Sequence, residues 1–170
     1  DYEHLPGVFD PAAAIENDAP LIHQDKAGNV AKRYDIVRGD FDAVLDACDY
    51  VFEEEFSTSR VLPSYLELFG CIAEWNPEGR LVMHTGIQAM FQARAELAKA
   101  LDIEPSQVVV KVPTIGGAFG GRIWIRNFHP ITALLAKKAK RPVKYVMTRH
   151  EELIASRPRV PARIKIRLGF

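Results

Sequence analysis

Cysteine is scarce in this sequence: Cys48 and Cys71 are the only two, and neither belongs to a Cys-x-x-Cys pattern. This argues against a zinc or iron–sulfur site within these residues and favours two reduced thiols over one disulfide. Net charge is also absent, because 22 basic residues balance 22 acidic ones, so nothing indicates a nucleic-acid or membrane-surface partner. No apolar run approaches the roughly 20 residues of a membrane span, and no signal peptide is visible. These absences favour a cytoplasmic protein.

What the sequence does contain is enough apolar material for a folded core. Its 170 residues are 48% hydrophobic and 26% charged, a composition typical of globular domains. The chain opens at Asp1 without a methionine, and residues 163–170 form an alternating strand pattern at its end. We interpret it as a fragment of a longer polypeptide.

The hydrophobic patterns predict an α+β fold with a mixed sheet and two main helices. Asp40 is predicted to cap a short helix that begins at Phe41, and residues 76–79 to form the turn of a hairpin. The predicted strands cover residues 32–38, 50–59, 71–75, 80–84, 108–112, 141–147 and 163–170. The other predicted helices cover residues 88–101, 130–139 and 149–155.

Two of these predictions concern the core. The run Val-Val-Val-Lys-Val at residues 108–112 is predicted to be a strand buried on both faces. In the helix at residues 130–139, Ile131, Leu134 and Leu135 share one face and are predicted to point inward.

One stretch, which we call the glycine loop, organises the rest of the chain: residues 116–122, Gly-Gly-Ala-Phe-Gly-Gly-Arg. Glycine-rich turns between a strand and a helix can direct backbone N–H groups at an anionic ligand. A nucleotide phosphate loop is disfavoured, because Arg122 and Ile123 replace the lysine and the hydroxyl residue of that motif. The glycine spacing disfavours a dinucleotide-binding fingerprint. A purely structural turn stays open, although four glycines around Phe119 are more than a turn requires.

The glycine loop resembles the Gly-Gly-Gly-Phe-Gly-Gly-Lys loop of the molybdenum hydroxylases, the xanthine dehydrogenase and aldehyde oxidase family. Residues 85–88 (Thr-Gly-Ile-Gln) resemble the family's Ser-Thr-Gln segment at the head of a helix, and Phe119 follows Gln88 by 31 residues, a similar separation. Further segments resemble the family in the same order: residues 2–8, 65–73, 141–143 and 149–152. By resemblance the chain is identified as a fragment of the large, molybdopterin-binding subunit.

The resemblance implies a set of cofactor contacts. In the family, the glutamine at the position of Gln88 hydrogen-bonds the apical oxo ligand of molybdenum, and Phe119 and Gly120 lie against the same centre. Neutral amide donors suit a metal oxo group, and neither Gln88 nor Phe119 would ligate the metal through its side chain. The residues implied in cofactor binding are Gln88, Gly117, Ala118, Phe119, Gly120, Gly121 and Arg122. The implied cofactor is molybdenum-molybdopterin in its cytosine dinucleotide form.

One departure from the family concerns the substrate. Xanthine-type members carry a purine-binding glutamate at the position of Ile123. An isoleucine there argues against xanthine or hypoxanthine and favours a more apolar ring, an aldehyde or an aromatic acyl thioester. Leu68 stands in place of the usual proline, and residues 62–64 (Leu-Pro-Ser) stand where Gln-His-type residues are common. These departures concern the geometry of the substrate channel.

The resemblance also implies how the parent protein is organised. Residues 1–30 would be a linker that closes a preceding hammerhead-like domain, and residues 31–170 the N-terminal part of the molybdopterin-binding domain. The family's general-base glutamate would lie outside these residues, so the fragment contains no catalytic residue and is expected to be inactive alone.

The parent would be an oligomeric oxidoreductase that uses water-derived oxygen to hydroxylate an aldehyde or an aromatic or N-heterocyclic small molecule. Its 2Fe–2S and FAD carriers would lie on partner subunits or other segments. The alternative is a non-catalytic scaffold or partner-docking domain whose glycine loop is only structural.

Overall fold

The computed structural model describes residues 1–170, which form two compact units: residues 1–59 with 161–170, and residues 60–160. The helices are α1 (Pro11–Ala14), α2 (Phe41–Asp46), α3 (Met90–Leu101), α4 (Phe128–Ala139) and α5 (Arg149–Ala155). The strands are β1 (Val51–Thr58), β2 (Gly70–Trp75), β3 (Leu81–Thr85), β4 (Val108–Lys111), β5 (Val143–Val146) and β6 (Ala162–Gly169). The predicted α+β fold with two main helices is confirmed, since α3 and α4 have 12 residues each.

In the first unit, β1 and β6 form a two-stranded antiparallel ribbon in which Val51 lies opposite Gly169. The ribbon carries salt bridges between its strands, including one of 3.1 Å between Arg167 Nε and Glu53 Oε2. Asp40 caps α2 as predicted, because its Oδ1 accepts the backbone N–H of Ala43 at 3.1 Å.

One predicted strand in this unit is wrong. Residues 32–38 pair with no other strand and form no regular element. Tyr34 and Ile36, which suggested an apolar face, are 72% and 86% exposed. Alternating side chains are not enough for a strand, because its backbone N–H and C=O groups also need a neighbouring strand to bond.

The second unit is built on a four-stranded sheet in the order β4–β3–β2–β5. Strand β2 pairs antiparallel with β3 and β5, whereas β3 and β4 are parallel, so the sheet is mixed as predicted. The predicted hairpin turn between β2 and β3 is present: Gly79 donates its N–H to the Asn76 carbonyl at 3.0 Å and adopts a φ of 77°. Helix α3 makes the crossover that a parallel pair requires.

The core of the second unit is closed by α3 and α4. Ala93 and Leu97 of α3 and Ala133 of α4 have no exposed surface. The indole nitrogen of Trp75 in β2 donates to the Ala133 carbonyl at 2.8 Å, which ties the sheet to α4. Small residues on the helix allow this close approach.

The predicted inward face of α4 is wrong. Ile131, Leu134 and Leu135 are each at least half exposed. The side that packs inward instead carries Phe128, His129, Thr132, Ala133 and Ala136. The two alanines pack most closely against the sheet. His129 and Thr132 can be buried on the same side because each makes a hydrogen bond.

The prediction that residues 108–112 are buried on both faces is also wrong. Strand β4 is an edge strand that pairs only with β3. Val108 is buried, but Val109 and Lys111 are exposed. A run of valines therefore marks a strand here without marking its position in the sheet.

No helix has both the length and the apolar character that spanning a bilayer requires.

Candidate functional site

The glycine loop, which follows β4, is fixed by a salt bridge. Arg122 is 1% exposed, and its Nη1 donates to Glu67 Oε2 at 2.7 Å. The same carboxylate oxygen accepts the backbone N–H of Gly116 at 2.6 Å. Glu67 therefore holds both ends of the loop, and the positive charge of Arg122 is neutralised inside the protein.

Two arginines organise the segment that faces the glycine loop, residues 65–67. Arg149 donates to the Tyr65 carbonyl at 3.0 Å and to the Leu66 carbonyl at 2.7 Å, and Arg122 donates to the Glu67 carbonyl. Three successive carbonyl groups outside regular structure are thus satisfied by guanidinium donors. The Arg122 guanidinium also lies 4.1 Å from the centroid of the Tyr65 ring, and burial raises the pKa of the Tyr65 hydroxyl.

Close packing explains three of the loop's glycines, beginning with Gly116, where a Cβ would lie 2.8 Å from Glu67 Cβ. A Cβ on Gly121 would lie 2.9 Å from Tyr65 Cε1 and 3.0 Å from Pro63 Cγ. A Cβ on Gly117 would lie 3.1 Å from Tyr65 Cβ, at a φ of 102° that side chains rarely allow. These glycines let the loop lie directly against residues 63–67.

Gln88 lies two residues before α3 and pairs with the backbone of Arg122. Its N–H donates to the Arg122 carbonyl at 2.9 Å, and its Oε1 accepts the Arg122 N–H at 3.3 Å. Its Nε2 makes no hydrogen bond within the chain, and the residue is exposed. The loop therefore orients Gln88 as an exposed donor.

Four consecutive N–H groups of the glycine loop, those of residues 117–120, also make no hydrogen bond within the chain. Phe119 has a left-handed φ of 47°. Residues other than glycine rarely adopt this conformation, and those that do are often found at binding sites. A Cβ on Gly120 would meet nothing within 4 Å, so the loop faces open space there. Together with the Gln88 amide, the loop presents uncharged donors to a ligand.

Phe119 and Ile123 line one groove of about 770 Å³, which we call the Ile123 groove. Residues 60–63 and 157–160 complete its wall. The structure thus brings the predicted metal-facing Phe119 and the predicted substrate-contacting Ile123 to the same cavity.

His129 is linked to the glycine loop through Arg126. Its Nδ1 accepts the backbone N–H of Arg126 at 2.9 Å, so its Nε2 carries the proton and donates to Thr85 Oγ1 at 3.1 Å. The Thr85 hydroxyl in turn donates to the Gly70 carbonyl at 2.9 Å. Arg126, whose pKa is lowered by burial, donates to the Gly121 carbonyl at 2.8 Å. A chain of hydrogen bonds therefore joins β2 and β3 to the loop.

Burial lowers the pKa of His129 from 6.5 to about 4. As the pH falls from 6.5 to 4, His129 becomes protonated in the unfolded chain but stays mostly neutral in the folded one. The unfolded state therefore binds more protons, and we expect the free energy of unfolding to fall by about 3 kcal/mol across that interval. Urea denaturation at a series of pH values measures this slope.

The variant His129→Gln should lose that part of the pH dependence, because it has no imidazole to protonate. The matched control His150→Gln removes an exposed histidine of α5 and should keep the wild-type slope. Equal slopes in wild type and His129→Gln would contradict the assignment.

The sequence patterns single out neither the Glu67–Arg122 pair nor His129. Glu67 falls within the segment noted for its family resemblance, but its role depends on a contact with a residue 55 positions away. For His129, the one available signal is a histidine inside an otherwise apolar helix pattern beside Pro130.

The molybdopterin cofactor-binding domain family matches residues 22–170, which is most of the chain. The chain belongs to this family. The chain is 33% identical to a probable xanthine dehydrogenase subunit of Bacillus subtilis, over 99% of its own length and 22% of that protein. It is 32% identical to the nicotinate dehydrogenase large molybdopterin subunit of Eubacterium barkeri, over 99% of its length and 39% of that protein. The resemblance to the molybdenum hydroxylases is thereby confirmed.

Solved structures agree with this membership. The crystal structure of quinoline 2-oxidoreductase from Pseudomonas putida 86 superposes on the whole of this chain with a TM-score of 0.87 and 27% identity, over 22% of the larger chain. The chain spans less than half the length of these relatives.

The residues at the glycine loop fit an oxygen-rich cofactor. Gln88 Nε2 and the N–H groups of residues 117–120 are free, and Gly120 leaves room for a group to approach the backbone. Gly121 packs against the protein instead, and the side chain of Arg122 is buried in its salt bridge. Of the predicted cofactor residues, these two thus face the protein rather than the open side of the loop.

Proposed function

We propose that the glycine loop and Gln88 bind the molybdenum-molybdopterin cofactor in a molybdenum hydroxylase. The observation that carries the proposal is a set of five uncharged donor groups that the chain itself leaves without acceptors: the four backbone N–H groups of residues 117–120 and the side-chain NH₂ of Gln88. A loop that only joined β4 to α4 would not require them.

Each residue of the proposed site has a distinct task. Gln88 donates through Nε2 to an oxygen of the cofactor, while its Oε1 keeps the amide oriented. Phe119 and Gly120 offer backbone N–H groups, and Gly117 and Ala118 extend this donor row. Gly121 allows the loop to pack on Tyr65, and Arg122 contributes through its backbone and by anchoring the loop to Glu67. Ile123 contacts the substrate ring across the groove.

The proposed reaction replaces a C–H bond of the substrate by C–OH. Water supplies the oxygen, and two protons and two electrons leave; the electrons pass to 2Fe–2S and FAD carriers on partner subunits or other segments. When bound, the cofactor supplies the two-electron oxidation. The residues of this chain bind and orient it with neutral donors and place an apolar wall beside the reacting ring. An aldehyde or an aromatic or N-heterocyclic substrate suits that wall better than a purine.

Several features of the parent protein belong to the same proposal. Residues 1–30 close a preceding domain, and residues 31–170 begin the molybdopterin-binding domain. The cofactor is the cytosine dinucleotide form, and the parent is a cytoplasmic oligomer. These statements rest on the family resemblance.

The test is metal and cofactor analysis of the full-length protein, expressed in a host that makes the cofactor. We expect stoichiometric molybdenum and release of CMP on acid hydrolysis. Gly120→Ala should lower the molybdenum content, because its methyl group would enter the open space where the cofactor approaches. Gly28→Ala is the matched control: Gly120 and Gly28 both have a positive φ, of 84° and 58°, and a Cβ on either would meet nothing within 4 Å, but Gly28 lies outside the loop. Protein that purifies without molybdenum would favour the scaffold alternative instead.

A further inference from the structure

The Ile123 groove carries an excess of positive charge. Arg60, Arg157 and Arg159 line it, and no aspartate or glutamate does. The chain as a whole has no net charge, so this excess is a local property of the groove. Clefts lined by one sign of charge with low-dielectric walls concentrate ligands of the opposite sign.

The three groove arginines have no acidic partner within the chain. Four arginines form salt bridges with glutamates: Arg122, Arg149, Arg163 and Arg167. Arg60, Arg157 and Arg159 form no salt bridge, and their side chains make no hydrogen bond within the chain. Within this chain, their side-chain N–H donors therefore have no acceptor.

The rest of the groove suits an aromatic ring. Phe119, Ile123 and Trp124 form an apolar wall of the groove. The volume of the groove, about 770 Å³, is within the range of small-molecule sites. The guanidinium of Arg157 lies 4.7 Å from the centroid of the Trp124 ring. Stacking of this kind holds the planar guanidinium in place and leaves the N–H groups at its edge free to bond.

We propose that the Ile123 groove selects an aromatic substrate that carries a carboxylate. The ring packs against Ile123 and Trp124, and the carboxylate is bound by Arg157 together with Arg60 and Arg159. Guanidinium groups bind carboxylates through paired, charge-assisted hydrogen bonds, which few other side chains can offer. The inference rests on the proposed function and narrows its substrate class, from aromatic rings in general to anionic ones.

The experiment measures binding rather than turnover, by calorimetric titration of the full-length protein purified from a host that makes the cofactor. The probes are naphthalene-2-carboxylate and its neutral carboxamide, which share one ring system and nearly one size. We expect the acid to bind at least about tenfold more tightly than the amide, as one charge-assisted hydrogen bond would give. In Arg157→Gln this ratio should fall towards one, whereas Arg94→Gln, which removes an exposed arginine of α3, should leave it unchanged.

Three results would overturn the inference: acid and amide that bind equally, acid that does not bind, or a ratio that survives in Arg157→Gln, Arg60→Gln and Arg159→Gln. Tighter binding of 2-naphthyl phosphate than of the acid would also overturn it, by assigning the groove to phosphate esters. Molybdenum is measured in the same preparation. Bound molybdenum with no preference for the acid contradicts the groove assignment alone, whereas a preference without molybdenum contradicts the cofactor assignment alone.

Discussion

Gln88→Ala in the full-length holoenzyme is expected to lower kcat by about 10²- to 10³-fold. This is the usual effect of removing one oriented donor from a site where charge develops during a reaction. The structure supplies the physical reason, because Gln88 Oε1 is occupied by the Arg122 N–H and Nε2 faces outward without a partner. Steady-state kinetics with a turned-over substrate measures the change, and circular dichroism and molybdenum content confirm that fold and cofactor are retained.

Gln88→Glu separates the two ends of this amide. An ionised glutamate can still accept the Arg122 N–H, but it has no donor to offer the cofactor. If the donor matters, Gln88→Glu should lose as much activity as Gln88→Ala. If the residue only fixes the loop through its oxygen, Gln88→Glu should be nearly as active as wild type, and the proposed role would be wrong.

Glu67→Gln is expected to lower the free energy of unfolding by about 3 kcal/mol. It leaves the Arg122 guanidinium, which is 1% exposed, without a counter-charge, and buried charges that lose their partner are strongly destabilising. Glu67 itself is 40% exposed, which keeps the expected value at the lower end of the usual range of about 3 to 5 kcal/mol. Urea denaturation measures the change.

Two further variants make this result interpretable. Glu53→Gln breaks the exposed pair with Arg167 and should change stability by less than about 1 kcal/mol. The double variant Glu67→Gln, Arg122→Met removes both charges of the buried pair and should recover much of the lost stability, because an apolar side chain can fill the same space. A Glu67→Gln that is no more destabilising than Glu53→Gln would show that the buried pair does not hold the loop.

Much of the fold could be predicted because its signals are local. The turn at residues 76–79 depends on Asn76 and Gly79, and the start of α2 depends on Asp40, so neighbouring residues suffice. The failures all depend on distant partners. Residues 32–38 alternate like a strand but find no other strand, and the valines of β4 do not disclose that it lies at an edge.

Helix α4 shows the same limit for side chains. Its largest apolar residues, Ile131, Leu134 and Leu135, are exposed, and His129 and Thr132 are buried. The helical periodicity predicted that the larger apolar residues point inward. Hydrophobicity alone cannot show that His129 hydrogen-bonds Thr85 or that the Ala133 carbonyl accepts a hydrogen bond from Trp75.

Some residues of the candidate site could be predicted from the sequence and others could not. The glycine loop, Gln88 and Ile123 could be recognised from their order and spacing along the chain, and the structure adds that Gln88 bonds the loop and that Ile123 lies beside Phe119. The salt bridge of Arg122 and the three groove arginines could not be recognised, because segments far apart in sequence meet there.

The anchoring of residues 65–67 and of the glycine loop has a consequence for how such a protein is made. Glu67, Arg122 and Arg149 hold both segments with contacts that come entirely from the polypeptide. The conformational entropy of ordering the loop is therefore lost when the chain folds, rather than when a ligand arrives. A cofactor would then meet a loop whose two ends are already held by the protein, so its insertion would follow folding instead of driving it.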